Sequence, residues 1–388
     1  IYYEYMLIAR NLLDGLGYSY DDTGYTIMQP TSLFPPLYVY WCALFMGLSA
    51  QNFLPLYLGQ ALIGAIGVVP AFSIGRRLFD KRAGWIFAGL YALYPEMIVL
   101  VTRPVPEFAL VVLVLWLWWC YLVLRDRLRE GRGTRLVTMG MGLLAGTGVL
   151  VKETILIPVL AAFVGLLWKA DQPRRVLIRQ VLPIAGIMCL FLLPWIWRNW
   201  EVQNRFIPLR TGFGLNLWMG NNPISEGTPY TLDGGKVRFT LPSPYREQFE
   251  SGLPQDEQDR DDYYLRAALD YIGANPGQYA LLTAKRLWYF IWFDPTHHFT
   301  GHAVYRVPYI VVLLLSVIAV VRLVRSRGTD PFMIVTYLGF AVLYVPVISL
   351  PRYRIVPVAI LLLLAAYALA RWLPPGGRKT AIAPAGGD

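Results

Sequence analysis

Charged residues at the ends of apolar segments are the positions in this sequence that could do chemistry. Glu107 begins a long apolar run, and Lys152 interrupts another. Arg198 ends a third run, and Arg352 and Arg354 precede a fourth. A charge near the centre of a lipid bilayer costs at least about 2.5–3.5 kcal/mol, so charges beside apolar segments are candidates for a functional site.

The basic residues of this group favour the binding of an anion. An ammonium binds phosphate as a point charge, and a guanidinium can make two parallel hydrogen bonds to one phosphate group. Two alternatives stay open. Lys152 could pair locally with Glu153 or extend to the membrane surface, and Arg198 could anchor its segment among the neighbouring tryptophans. A phosphate ester on a membrane lipid is the anion that Arg352 and Arg354 predict.

Four carboxylates could act on a proton or a metal ion. Glu107 could position an acceptor or ligate a metal, or it could simply favour the positive end of its helix. Glu4, Asp21 and Asp22 lie near the beginning of the chain, where a carboxylate could serve as a general base toward a hydroxyl group. Acids in a polar turn are often only solvated, which is the simpler interpretation of Asp21 and Asp22.

The three histidines of the chain, His297, His298 and His302, form the cluster HHFTGH. Imidazoles at such spacing can converge on a metal, but a loop just before an apolar segment is also typical of interfacial histidines. A divalent metal is therefore a candidate cofactor, and no cofactor is certain. The sequence has no glycine-rich nucleotide loop of the Walker type, so it gives no support to ATP-driven transport.

The composition restricts the class of protein. Of the 388 residues, 56% are hydrophobic and only 15% are charged, and the mean hydropathy is +0.45. Soluble domains contain about 25% charged residues. These values exclude an ordinary soluble enzyme, a disordered protein and a nucleic-acid binder, and they favour a polytopic membrane protein. The cysteines Cys42, Cys120 and Cys189 lie in apolar runs and are interpreted as small buried hydrophobes.

Nine apolar segments predict an all-α bundle of membrane-spanning helices. They are residues 53–74, 83–100, 105–124, 136–150, 154–168, 177–197, 306–322, 332–349 and 355–373. Basic residues crowd five connections, and with nine spans all five lie on one face, which the positive-inside rule makes cytoplasmic. The shorter apolar segment 37–48 is predicted to be a juxtamembrane or re-entrant helix on the outer face.

This topology divides the chain into five parts. They are a first extracytoplasmic loop with juxtamembrane helices (1–52), transmembrane helices (53–197), a small mixed extracytoplasmic loop domain (198–305), C-terminal transmembrane helices (306–373) and a disordered cytoplasmic tail (374–388). The outer insertion is predicted to fold because Asp256–Ile272 has apolar residues at helical spacing. Because the first residue is Ile, we expect a further N-terminal segment to precede this sequence.

Six motifs follow one another along nearly the whole chain. They are YMLIARNLLDGLGYS, PTSLFPPLYVY, GRRLFDKRAGWIFAGLYALYP, LVKETILIPVL, PWIWRNWEVQNRFIPLRTGFGLNLWMGNNP and PRYRIVPV. In order and spacing they resemble the bacterial GT-C membrane glycosyltransferases, the group that contains protein mannosyltransferases and the aminoarabinose transferase acting on lipid A.

The resemblance implies a GT-C-like bundle in a bacterial inner membrane, with its active site on the extracytoplasmic face. Its implied partners are membrane lipid, a polyprenyl-phosphate sugar donor and a lipid, glycan or protein acceptor. The sugar would be transferred with inversion and without nucleic acid. Lys152, Arg352 and Arg354 match basic positions that face the donor phosphate in the family. Asn221 and Asn222 match the family's GNNP turn.

The resemblance implies two acidic positions, and this sequence matches only the second of them. Glu107 matches the second acid of the family. The first acid falls a few residues ahead of the tyrosine that matches Tyr5, at Ile1 or before the chain begins. Glu4 or the pair at 21 and 22 would then substitute for it, or the chain would be inactive.

Two functions of other classes remain open. A transporter or flippase of a lipid-linked anion would also use outer arginines and a re-entrant helix. It would favour polar residues at mid-membrane and inverted repeats, and the sequence offers neither. A non-catalytic membrane subunit is the third interpretation, because the first acid of the family is missing.

Overall fold

The computed structural model describes residues 4–20, 29–49, 52–168, 173–237, 240–242, 247, 249, 251–326 and 328–372. Over these residues the regular structure is helical apart from one antiparallel pair of short strands, β1 (Ser19–Tyr20) and β2 (Gln29–Pro30), and an isolated β-bridge between Tyr230 and Lys236. The α-helices are α1 (Glu4–Leu13), α2 (Pro36–Leu48), α3 (Leu54–Ile66), α4 (Val68–Leu78), α5 (Lys81–Leu93), α6 (Pro95–Val101), α7 (Glu107–Arg129), α8 (Arg135–Val151), α9 (Leu156–Trp168), α10 (Arg174–Gln203), α11 (Phe213–Gly220), α12 (Glu257–Ala274), α13 (Pro276–Ile291), α14 (Ala303–Arg325), α15 (Pro331–Tyr344) and α16 (Ile355–Trp372). Three 3₁₀ turns are Glu153–Ile155, His298–Gly301 and Pro351–Arg354. The prediction of an all-α protein is confirmed, whereas the predicted tail 374–388 lies outside the described residues.

Within the described residues, five helical segments are long and apolar enough to cross a membrane, and the bent pair α5–α6 would be a sixth. The five are Leu54–Leu78, Glu107–Arg129, Arg174–Gln203, Ala303–Arg325 and Pro351–Trp372. The protein is thus a multi-pass membrane protein, but nine spans are not shown. The predicted spans 136–150, 154–168 and 332–349 correspond to α8, α9 and α15, which are apolar but short.

Two breaks in the helices follow directly from the sequence. The predicted span 83–100 bends by 51° where Pro95 begins α6. Tyr94 before it has extended backbone angles, as residues before proline usually do. Lys152 is also extended and separates α8 from the turn at Glu153, so the predicted break at this pair is confirmed.

The two most enclosed apolar helices are α7 and α16, whereas α10 is the most exposed. Helix α7 packs against α3, α4, α8 and α9, and α16 packs against α5, α14 and α15. Glu107 is the first residue of α7, and the turn Pro351–Arg354 leads into α16. The centre of the bundle therefore fixes the positions from which the candidate charges project.

The outer insertion contains a second, smaller apolar core. The rings of Trp218 and Phe249 stack with centroids 4.7 Å apart, and Tyr264 lies 5.2 Å from Trp218. The helix predicted in Asp256–Ile272 is observed as α12, and the Asp256 side chain caps its first turn. This core shows that the described part of residues 198–305 is folded, whereas its extracytoplasmic placement stays a prediction.

Glu257 ties the outer insertion to the segment that precedes α2. Its Oε1 atom accepts hydrogen bonds from the Ser32 amide at 2.9 Å and the Thr211 hydroxyl at 2.6 Å. Its Oε2 atom accepts a hydrogen bond from the Thr31 hydroxyl. The motif PTS at residues 30–32 therefore has a structural role in joining two outer segments.

Asn221 and Asn222 of the GNNP turn are buried and end helix α11. Each side-chain amide donates to a carbonyl of the last helical turn, at 2.8 and 2.9 Å. Arg286 reaches the same turn from α13 and donates to the Gly220 carbonyl at 2.8 Å and to Asn221 Oδ1 at 3.1 Å. Burial lowers the pKa of Arg286 to about 10. The hydrogen bonds of this turn thus join α11 to α13.

We expect Gly220→Ala to destabilise the protein by about 3 kcal/mol, the upper end of the usual cost of overpacking. A Cβ at Gly220 would lie 2.0 Å from the Val347 carbonyl oxygen, which belongs to the backbone and cannot rotate away. Gly273→Ala is the matched control, because a Cβ there meets nothing within 4 Å. Thermal unfolding in detergent measures both, and equal unfolding temperatures for the two variants would contradict the expected clash.

Candidate functional site

Glu107, Lys152 and Arg352 meet at one point, although they come from three separate parts of the chain. Lys152 Nζ donates to Glu107 Oε1 over 2.6 Å, and Arg352 Nε lies 3.4 Å from the same oxygen. Glu107 Oε2 is buried and has no hydrogen-bond partner among the described residues. The structure therefore brings together three of the residues that the sequence singled out.

The three side chains differ in their access to the outside. Only 2% of the Glu107 side chain and 7% of the Lys152 side chain are exposed, but 35% of the Arg352 side chain is exposed. Breaking a buried ion pair by removing one partner typically costs about 3–5 kcal/mol. Lys152 and Glu107 thus stabilise each other inside the bundle, and Arg352 is the accessible member of the group.

Aromatic rings hold the two cations in place. Tyr353 stacks on Tyr344 with ring centroids 4.2 Å apart. The Lys152 ammonium lies 5.0 Å and the Arg352 guanidinium carbon 5.6 Å from the Tyr353 centroid. Both distances are within the range of cation–π attraction. Tyr353, which the sequence showed only as the residue between two arginines, therefore supports both cations.

A second ion pair extends the group. Arg210 Nη1 lies 3.5 Å from Glu153 Oε1, and its guanidinium carbon lies 5.3 Å from the Phe34 ring centroid. Burial opposes the charge of Arg210, but Glu153 together with three neighbouring tyrosines raises its pKa above the ordinary value. With this pair, the group contains three cations and two anions, which are Lys152, Arg352 and Arg210 with Glu107 and Glu153. Sequence reasoning missed Arg210 because it lies in an irregular segment of the outer insertion.

A cavity of about 460 Å³ opens beside this group. It is lined by the end of α6, the turn Pro351–Arg354, part of the outer insertion and the segment before α14. Its charged lining residues are Glu4, Glu96, Arg103, Lys236, Arg352 and Arg354. Four positive and two negative charges leave an excess of two positive charges, so the cavity favours an anionic ligand.

Arg354 is buried at the wall of this cavity. Its Nη1 atom donates to the carbonyl oxygens of Trp292 and Tyr289. The guanidinium carbon lies 4.3 Å from the Tyr309 ring centroid. These contacts fix one side of the guanidinium, while the residue also lines the cavity, as expected of a contact for an anion.

The structure does not bring Arg198 to the cavity. Its Nη1 donates to the Thr31 carbonyl at 2.6 Å, and its Nη2 donates to the Tyr18 carbonyl at 3.1 Å. The guanidinium also lies over the Trp195 ring, 5.0 Å from its centroid. Arg198 thus holds the first outer segment against α10. This placement does not fit the predicted phosphate contact, because the guanidinium is already occupied by backbone carbonyls.

The predicted carboxylates differ in whether they line the cavity. Glu4 begins α1 and lines the cavity. Glu107 is not among the lining residues, and Asp21 and Asp22 lie outside the described residues. Glu96, which sequence reasoning missed, is the second acid in the cavity wall. An acid directly after a proline that interrupts an apolar segment was the signal that could have identified it.

The histidine cluster does not converge in the described part of the chain. His297 lines the cavity, and its ring lies 5.9 Å from the Tyr230 ring. His302 is exposed, and the side chain of His298 is outside the description. Among the described residues, no three His, Cys, Asp or Glu side chains are grouped so as to hold a metal ion.

Asp294 is a buried acid in the same wall segment, directly before residues that line the cavity. Its Oδ1 accepts hydrogen bonds from the Thr296 amide at 2.9 Å and the Thr296 hydroxyl at 2.6 Å. Its Oδ2 has no partner among the described residues. Burial raises the pKa of Asp294, although Thr296 and the charge of Arg354 act in the opposite direction.

We expect the stability of Asp294→Asn relative to the unmodified protein to increase as the pH rises above about 4, the ordinary pKa of an aspartic acid. A carboxyl with a raised folded-state pKa stabilises the fold fully below its unfolded pKa and loses that contribution as pH rises through the folded pKa. The amide keeps an acceptor for Thr296 and never becomes charged. Thermal unfolding as a function of pH measures the difference, and a difference independent of pH would contradict the expectation.

The comparisons with known proteins agree with the resemblance. Residues 34–197 match the family model described as dolichyl-phosphate-mannose-protein mannosyltransferase. The matched range contains Glu107 and Lys152, and the turn with Arg352 lies beyond it. A comparison with curated protein sequences gives no match.

Solved structures extend the similarity over most of the chain. The Archaeoglobus fulgidus oligosaccharyltransferase in complex with zinc and sulfate has a TM-score of 0.52 and 16% identity, covering 95% of this chain and 44% of that one. Its apo form has a TM-score of 0.52 and 15% identity, covering 95% and 46%. ArnT from Cupriavidus metallidurans bound to undecaprenyl phosphate has a TM-score of 0.41 and 15% identity, covering 95% and 73%.

This chain spans less than half the length of the archaeal protein. At 16% identity the similarity describes the fold alone, over 95% of this chain. The predicted resemblance to protein mannosyltransferases is confirmed for the matched range. Residues 34–197 are therefore similar to the dolichyl-phosphate-mannose-protein mannosyltransferase family, in a chain whose fold is similar to part of the archaeal oligosaccharyltransferase.

Proposed function

We propose that this protein is a membrane glycosyltransferase that moves a sugar from a polyprenyl-phosphate donor to a lipid, glycan or protein acceptor, with inversion. One observation carries the proposal. The cavity of about 460 Å³ has an excess of positive charge and lies at the ends of the two most enclosed apolar helices. An anionic headgroup can bind there while its polyprenyl chain stays among apolar helices.

Arg352 and Arg354 are the proposed contacts for the donor phosphate, with Lys152 behind them. When the bond between the sugar and the phosphate breaks, the phosphate oxygen keeps the electron pair and gains negative charge. Cationic donors fixed before the reaction stabilise that charge without reorganising. The sugar–phosphate bond supplies the free energy, so no nucleotide is needed.

Glu4 is the proposed general base. The acceptor hydroxyl attacks the anomeric carbon from the face opposite the leaving phosphate, and a carboxylate takes its proton. Glu4 lines the cavity and lies close enough to Arg352 for the two charges to interact. Glu96 is the other carboxylate in the wall, and Asp21 and Asp22 keep their predicted role as alternatives.

The proposed topology keeps nine spans, with the basic connections in the cytoplasm and the cavity on the extracytoplasmic face of a bacterial inner membrane. The short helices α8, α9 and α15 would complete the bundle beside longer neighbours. This arrangement puts Glu4, Lys152 and Arg352 on one side of the membrane. It is supported by the distribution of lysine and arginine along the chain.

The test uses the full-length protein in liposomes with radiolabelled polyprenyl-phosphate sugars. We expect sugar release from one donor, and the accepted donor identifies the sugar. Release from none of the donors, with movement of the intact lipid between leaflets, would contradict the transferase and support a flippase. Binding without either activity would support a non-catalytic subunit.

A further inference from the structure

We propose that Glu107 is a positioning residue, which orients Arg352 toward the donor phosphate and does not itself act as the base or as a metal ligand. This inference rests on the proposed function, because it names the role of one residue in that site. It assigns to the buried acid a role that neither the family match nor the sequence motifs give it.

The first support is the access to Glu107. A general base must come within hydrogen-bond reach of the proton that it removes. Glu107 is 2% exposed and is not among the residues that line the cavity. Lys152 Nζ and Arg352 Nε both lie against its Oε1 atom. The other oxygen, Oε2, is buried, and Glu107 does not line the cavity, so neither an acceptor hydroxyl nor a hydrated metal ion in the cavity contacts this carboxylate.

The second support is the balance of charge. Lys152 alone neutralises Glu107, since their atoms are 2.6 Å apart and both side chains are buried. The charge of Arg352 is therefore in excess in this group, and Arg352 is the member that lines the cavity. A phosphate that binds beside Arg352 would complete the pairing of charges. Without Glu107, the buried Lys152 and the more exposed Arg352 would repel each other at this point.

The third support is the direction of the Arg352 guanidinium. The atom nearest to Glu107 is Nε, which is one edge of the planar fork. The Nε atom makes an ion pair with Glu107 and not a hydrogen bond. This attraction keeps the Nε edge toward Glu107 and leaves the terminal N–H groups for a ligand, which suits two hydrogen bonds to one phosphate. Glu107 thus limits the rotation of Arg352 before the ligand arrives.

The variant Glu107→Gln tests the proposal, because it keeps the shape of the side chain and removes its charge. We expect the dissociation constant for undecaprenyl phosphate to rise about 10–100-fold. Replacing a residue that orients a metal-ligating side chain lowers metal affinity by this amount, and Glu107 would orient Arg352 in the same way. The acidic limb of the pH–rate profile should remain, since the base is still present. Glu107→Asp, which keeps the charge, should recover part of the affinity.

Two further variants separate this role from a general loss of structure. In Glu107→Gln/Lys152→Met the unpaired buried cation is removed, so we expect thermal stability to recover while affinity for undecaprenyl phosphate stays low. Glu226→Gln is the matched control, because Glu226 pairs with Lys285 over 2.7 Å in the outer insertion. It should leave undecaprenyl phosphate binding unchanged.

The proposal is overturned if Glu107→Gln abolishes turnover and the acidic limb but binds undecaprenyl phosphate as tightly as the unmodified protein, since Glu107 would then be the base. It is also overturned if the variant changes neither binding nor turnover. If the unmodified protein binds undecaprenyl phosphate but releases no sugar, the proposed transferase fails, and the binding measurements still decide the role of Glu107.

Discussion

Arg352→Ala is expected to slow sugar release by about 10²–10³-fold, the usual effect of removing one preorganised donor from a developing negative charge. Arg352 lines the cavity and is 35% exposed, whereas Glu107 and Lys152 beside it are buried. Because Lys152 still pairs with Glu107, the fold should survive the change. Initial rates of sugar release and the dissociation constant for undecaprenyl phosphate measure the effect.

Arg198→Ala is the matched control for this prediction. It also removes a partly buried arginine, but one whose guanidinium binds backbone carbonyls away from the cavity. Leaving these carbonyls without a donor should lower stability by about 1–3 kcal/mol while donor affinity stays the same. A rate of Arg352→Ala within a few-fold of the unmodified protein, or a loss of donor affinity in Arg198→Ala alone, would reverse the two assignments.

The sequence could predict that Glu107, Lys152 and Arg352 lie at the same face of the membrane, because each charge stands at the end of an apolar segment. Charges in such places are costly unless they find partners, and helices that alternate in direction bring every second end to the same side. The structure places all three around one carboxylate oxygen. The ion pairs of Lys152 and Arg352 with Glu107 could not be predicted, because side-chain contacts between distant segments leave no spacing pattern in the sequence.

Other parts of the site depend on tertiary structure that local patterns do not contain. Glu96 and Arg210 lie in a broken segment and an irregular one, so neither hydropathy nor periodicity marks them. Arg198 was identified as an anion contact because its residue type and position allow it, but backbone carbonyls of the first outer segment compete for the guanidinium. Hydropathy similarly counted 83–100 as one span, whereas Pro95 bends it by 51°.

The buried charges connect ligand binding in the cavity with the stability of the helical bundle. An isolated charge inside a protein costs several kcal/mol, so each acid and base in the group must keep a partner. Glu107 with Lys152 and Glu153 with Arg210 satisfy this requirement in pairs. The positive charge of Arg352 remains in excess, so an anion in the cavity would pair with it. Binding of that anion should therefore also stabilise the fold.

Glu4→Gln is expected to reduce kcat by about 10²–10⁴-fold, the usual contribution of a general base. The amide cannot accept the proton of the acceptor hydroxyl, and the position of Glu4 in the cavity wall makes it accessible to that group. The acidic limb of the pH–rate profile should disappear, because that limb reports protonation of the base. Affinity for undecaprenyl phosphate should stay unchanged, in contrast to Arg352→Ala.

Glu96→Gln is the comparison that makes this prediction specific, because it removes the other carboxylate of the same cavity. If Glu4 is the base, the Glu96 variant keeps the acidic limb, and any loss of rate comes from weaker binding of the acceptor. The reverse result would assign the proton transfer to Glu96. If both variants keep the limb, the base lies in the first outer segment, where Asp21 and Asp22 are the carboxylates to replace next.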